Sequence, residues 1–156
     1  LMEKGRDALA AVERHEVTPA LEDVVEATIY LSGLGFENGG LAAAHAVNDG
    51  FAQEPQAHGM YHGEKVAFGT LVQLVLEKAP QEELEQVLAF LRDTGLPLTL
   101  AQLGVKEIVP ETLKKVAEAA VVPTQSTKNL RADITAQEVY DAILEADRIG
   151  RDYLAR

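Results

Sequence analysis

Apolar residues recur along this chain with the 3.6-residue period of an α-helix and nowhere with the two-residue period of a strand. That property limits the fold more than any other. Leu84, Val87, Leu88 and Leu91 stand at i, i+3, i+4 and i+7, and Leu113, Val116, Ala117 and Ala120 repeat the spacing. Thr135 followed three residues later by Glu138 has the spacing of a capping box, with Val139, Ile143, Ala146 and Ile149 along the helix it opens. Thr18-Pro19 reads as an N-cap with proline in the first helical position, followed by Leu21, Val25 and Ile29. Asn38-Gly39-Gly40 and Gly95-Leu96-Pro97 are stop signals, and Pro110 opens another helix. These signals predict helices near 3–14, 19–35, 40–53, 63–78, 81–94, 111–121 and 135–155, with an irregular connection over 122–133. The segment 65–78 keeps almost no polar stripe and is expected at the centre of the bundle. The expected fold is all-α, a multi-helix bundle in a single domain over 1–156.

Composition narrows the function. The 156 residues carry 14 Lys+Arg against 25 Asp+Glu, a net charge of −11, and the excess of acid is present in both halves. Recognition of a phosphate backbone needs a cationic footprint, so no nucleic acid partner is expected. The absence of cysteine removes disulfides, iron–sulfur ligation and thiol nucleophiles. The most apolar run, 66–76, is too short to cross a bilayer, and the charged N-terminal residues have no secretory character. No membrane association and a cytoplasmic location are the expectation.

Four histidines are the candidates for chemistry. His15 lies among charges at a helix end and reads as solvated. His45 sits in GGLAAAHAVNDGF, where small residues allow another element or a ligand to come close. Alone, such a histidine is more often a packed core residue than a metal ligand. His58 and His62 flank a glycine-containing turn in HGMYHGEKVAFG, just before the apolar helix. Imidazoles on two neighbouring elements can converge on one ion, and neutral imidazole is a common ligand of zinc and ferrous iron. A 17-residue gap is not a motif, and no third ligand stands at a recognisable spacing. The run 29–40 could be misread as a strand feeding a glycine-rich nucleotide turn, but the residues before it are helical and no second strand follows.

At these residues the chain resembles a known family. GLGFENGGLAAAHAVNDGF followed by HGEKVAFGTLVQLVLE is similar to the C-terminal half of the bacterial glycerol dehydrogenases, within the iron-containing (group III) alcohol dehydrogenases. The likeness extends upstream through VTPALEDVVEATIYLSGLGF and more loosely downstream through GLPLTLAQLG and TAQEVYDAILEADRIG, covering roughly residues 10–156.

The resemblance implies the helical C-terminal domain of the dehydroquinate synthase-like fold, with the family's N-terminal NAD-binding α/β domain absent from these residues. It implies that His45 and His62 are metal ligands, zinc in glycerol dehydrogenases, and so also contact the substrate. Phe36 corresponds to an aromatic bordering the nicotinamide of NAD. The third ligand of the family is an aspartate preceding the matched segment; Asp49, one turn after His45, is a substitute by position only. The implied activity is that of an oxidoreductase converting glycerol to dihydroxyacetone by metal-assisted hydride transfer to NAD. The chain alone is expected to fold without activity and to self-associate as a homo-oligomer. The alternative is a non-catalytic truncated remnant or assembly domain that keeps the fold without metal. A metal-dependent hydrolase is less favoured because no HExxH spacing occurs.

Overall fold

The computed structural model describes all of residues 1–156. They form α-helices joined by turns and short 3₁₀ segments, with no β-strand. The helices are α1 (Gly5–Glu13), α2 (Pro19–Glu26), α3 (Ser32–Gly39), α4 (Ala43–Gly50), α5 (His62–Glu77), α6 (Gln81–Asp93), α7 (Pro110–Ala120) and α8 (Ala136–Leu154). The expected all-α fold is the observed one. A π-helical turn at Ala27–Leu31 joins α2 to α3, so the segment expected at 19–35 runs as one continuous helical stretch to Gly39. The residues gather into two compact units, Leu1–Gly40 with Asp93–Gly95, and Leu41–Arg92 with Leu96–Arg156.

In the first unit α1 packs on α2 and buries Ala8 and Ala11. Thr18 caps α2 through its hydroxyl, which accepts from Leu21 N at 3.3 Å, with Pro19 beginning the helix. Leu21, Val24 and Ala27 are half-buried, but every residue from 28 to 40 is exposed. Ile29, at 73% exposure, Tyr30, Leu31, Leu34 and Phe36 are among them.

The main core belongs to the second unit. Phe51, Phe68, Leu71, Leu98, Leu100, Leu103, Leu113 and Ile143 are its largest buried apolar side chains. Helix α4 lies against α5 and α7, and both of these also pack on α8. Ala67, Phe68, Gly69, Leu71, Val72 and Leu74 of α5 are buried, whereas Val66, Val75 and Leu76 stay half-exposed. The apolar helix is therefore less enclosed than its composition suggests. Helix α8 opens with the expected capping box, Thr135 Oγ1 accepting from Glu138 N and the Glu138 carboxylate accepting from Thr135 N.

Two features depart from the sequence expectation. The helix expected over 40–53 covers only Ala43–Gly50 and then tightens into 3₁₀ turns at Phe51–Gln53 and Pro55–Ala57. Proline at 55 has no N–H to continue an α-helix, and Phe51 turns into the core. The connection over 122–133 contains a 3₁₀ turn, Ser126–Asn129, that holds the start of α4. Ser126 Oγ donates to Ala42 O at 2.7 Å, and Asn129 Nδ2 donates to Leu41 O at 2.8 Å.

Candidate metal centre

His45 is the third residue of α4 and His62 the first residue of α5. Their positions follow from the contact between these two helices. Gly69 of α5 meets the backbone of α4 so closely that a Cβ on it would lie 2.4 Å from Ala44 O. Gln73, one turn further along α5, accepts a hydrogen bond from Ala44 N through Oε1 at 3.0 Å. Ala44 is thus held on two sides, and the side chain of the next residue stands beside His62. The two imidazole rings lie with centroids 5.5 Å apart and planes tilted by 49°.

The electrostatics favour the neutral imidazole. His45 is half-buried, and its pKa is lowered from 6.5 chiefly by desolvation, then by the neighbouring His62, with Asp49 acting in the opposite direction. A neutral ring nitrogen is the form that ligates a metal. Two imidazoles at this separation, one of them resisting protonation, could supply two ligands to one divalent ion. They supply only two. No group of three His, Cys, Asp or Glu side chains converges anywhere on the chain.

Asp49 is one turn from His45, but its carboxylate accepts from Asn48 Nδ2 at 3.0 Å and from Gln125 Nε2 at 3.2 Å. His58 is exposed, its Nε2 at 3.0 Å from Ala52 O within the linker. His15 is exposed and has a left-handed backbone, φ 56°. Phe36 lies on α3 of the first unit with 54% exposure. Residues 29–40 are helical apart from their last glycine, which removes the nucleotide-turn reading.

Two residues that lie between His45 and His62 in the chain carry little signal in the sequence. Tyr61, immediately before His62, is 81% exposed, and its backbone N–H donates to Glu64 Oε2 at 2.7 Å. Glu54, in the linker between the two histidines, is only 1% exposed. Its Oε1 accepts from Gln56 N and Gln56 Nε2, while Oε2 has no partner. Gln56 Oε1 in turn accepts from Lys106 N and Glu107 N, tying the linker to the 104–107 turn. Only the Glu-Pro pair, which places Glu54 before a proline-led turn, hints at this role.

Glycerol dehydrogenase from Escherichia coli O6:H1 is 56% identical over 154 residues, which is 99% of this chain and 42% of that enzyme. The chain is a homologue of the glycerol dehydrogenases. The Pseudomonas putida glycerol dehydrogenase is 49% identical over the same share of each chain. The structure of a probable glycerol dehydrogenase from Sinorhizobium meliloti 1021 superimposes with a TM-score of 0.93 at 45% identity, over 97% of this chain and 43% of that one. No protein-family model matches the chain. This homologue therefore spans a little over two-fifths of the curated relatives it matches, and the all-α fold is the one found in the corresponding part of a solved relative.

Proposed function

We propose that these 156 residues are the metal-ligating helical domain of an NAD-dependent polyol dehydrogenase acting on glycerol, with His45 and His62 as two ligands of one divalent ion, zinc. The observation that carries the reading is the imidazole pair on α4 and α5, 5.5 Å between ring centroids, in a chain 56% identical to a glycerol dehydrogenase. When bound, the ion supplies Lewis acidity toward a polyol hydroxyl, and the nicotinamide supplies the hydride acceptor. The protein's own part is to hold the two imidazoles side by side, and burial of His45 favours the neutral form of that ring. Oxidation of glycerol to dihydroxyacetone removes a hydride from carbon and a proton from oxygen, so it needs both groups at once. Phe36 is assigned to the nicotinamide border of the complete site. With no parallel sheet to seat NAD, the 156 residues alone bind metal but do not oxidise glycerol.

A cytoplasmic location and self-association belong to the same reading. Self-association is supported by the exposed apolar residues of 28–40. A second reading, a remnant that keeps the fold without metal, is favoured by one observation: no third ligand joins the pair. Zinc content separates the two. The expected result is close to one zinc per chain after loading and desalting, lost in both His45→Ala and His62→Ala. A folded wild-type chain that retains no zinc refutes the metal-binding reading and leaves the remnant.

A further inference from the structure

We infer that Gln73 and Gly69 are positioning residues which set His45 against His62, so that α5 both supplies one ligand and fixes the backbone of the other. The inference rests on the metal-binding reading above and extends it to residues that touch no ligand.

Helix α4 is short and weakly held by its own sequence. It has eight residues, and its N-cap, Ala42, offers no side-chain acceptor to the free N–H groups of the first turn. An isolated helix of this length does not persist in water, so its geometry is set by its surroundings. Gln73 supplies the missing acceptor from across the helix pair, taking the Ala44 N–H at 3.0 Å. The amide cannot rotate freely, because its Nε2 donates to Glu77 Oε1 at 2.8 Å on the next turn of α5. That bond holds the oxygen toward α4.

Gly69 acts on the other backbone group of the same residue. An added Cβ would lie 2.4 Å from Ala44 O, 3.1 Å from its carbonyl carbon and 3.2 Å from its Cα. All three neighbours are backbone, so α4 as a whole would have to move. Gln73 therefore holds the N–H of Ala44 while Gly69 admits its carbonyl, and His45 is the next residue. Ser126 and Asn129 fasten Ala42 and Leu41 from a third side, but neither is attached to the helix that carries His62. Only the α5 contacts couple one imidazole directly to the other.

The test is zinc affinity by isothermal titration on the full chain. Gln73→Leu keeps the bulk of the side chain and removes the acceptor. Gln73→Glu combined with Glu77→Gln restores an acceptor and preserves the pair along α5. Supporting residues of a metal site typically contribute 10- to 100-fold in affinity. Gln73→Leu is expected to weaken zinc at least tenfold, and the double variant to return within about threefold of wild type. Far-UV circular dichroism at the titration temperature establishes that each variant is folded. Amide exchange is expected to quicken at residues 44–47 in Gln73→Leu while α5 is unchanged. Gly69→Ala, the harsher change, should weaken zinc further. Zinc affinity of folded Gln73→Leu within twofold of wild type would overturn the positioning role, as would failure of the acceptor-restoring pair. A wild-type chain that binds no zinc fails at the earlier step, which is a different result from variants that bind it equally well.

Discussion

Gly150 offers a sharp quantitative test of how the second unit is held together. It lies on the face of α8 crossed by residues 98–100, and an ideal Cβ there would sit 1.9 Å from Leu98 O, 2.8 Å from Leu98 C and 3.2 Å from Thr99 Cγ2. Ordinary contact begins near 3.4 Å, so Gly150→Ala forces the two segments apart by about 1.5 Å. The same face, one turn earlier, carries buried Asp147, whose Oδ1 accepts from Leu100 N at 2.8 Å. A separation of that size takes the bond beyond hydrogen-bonding range. Loss of a bond to a charged acceptor costs roughly 1.5–3 kcal/mol, and overpacking about 1–3 kcal/mol. Opposing them, replacing a mid-helix glycine by alanine contributes about 0.5–1 kcal/mol in favour of the folded helix. The net expectation is a destabilisation of about 1.5–5.5 kcal/mol, read as a lower urea midpoint. Combination with Asp147→Ala, which removes the acceptor, locates the loss. If much of it passes through the Asp147–Leu100 bond, the double variant costs at least about 1 kcal/mol less than the sum of the singles. A neutral or stabilising Gly150→Ala, as helix propensity alone would give, refutes the close-contact argument.

Two further predictions use different parts of the molecule. Burial and the nearby His62 lower the pKa of His45, so the unfolded chain takes up that proton first as the pH falls below 6.5. Stability from His45 is therefore present above that pH and lost as the pH falls through the lowered folded value; the urea midpoint should drop between pH 7.5 and 5.5, and drop less in His45→Gln. An equal drop in the variant would contradict this assignment. Residues 28–40 are exposed throughout, so their amides should exchange faster than those of α5 and α8. In the same region Leu34→Ser should change stability by no more than about 0.5 kcal/mol, whereas truncation of fully buried Leu113 to alanine should cost about 2–5 kcal/mol.

Much of the fold was legible because its signals are local. Thr18 with Pro19, and Thr135 with Glu138, are caps whose partners lie within three residues, and both form as their spacing predicts. The site was less legible because its signals are not. The 17-residue gap between His45 and His62 says nothing about distance in space. What brings the rings together is the pairing of Ala44 with Gly69 and Gln73, 25 and 29 residues away. The glycines and alanines around His45 do mark a place of close approach, and the element that approaches is α5. The burial of Glu54 is not legible in sequence because a glutamate in a polar linker ordinarily faces water; it depends on Gln56 and on a turn some fifty residues later.

The contrast between α8 and residues 28–40 shows where helical periodicity stops being informative. Val139, Ile143 and Ala146 recur along α8 and are buried, because α5 and α7 pack upon that helix. Ile29, Tyr30, Leu34 and Phe36 are as apolar, yet all four are exposed. The π-turn at Ala27–Leu31 shifts the phase of the second group relative to Leu21 and Val24, which do face partly inward. Periodicity measures how apolar one side of a helix is; it carries no record of what lies against that side. A burial pattern read from spacing is therefore a statement about need, and whether the need is met depends on elements elsewhere. For α8 those elements are α5 and α7, while residues 28–40 stand exposed. The same spacing rule that locates both helices correctly thus supports a core prediction for one and an interface prediction for the other, and only the packed structure distinguishes them.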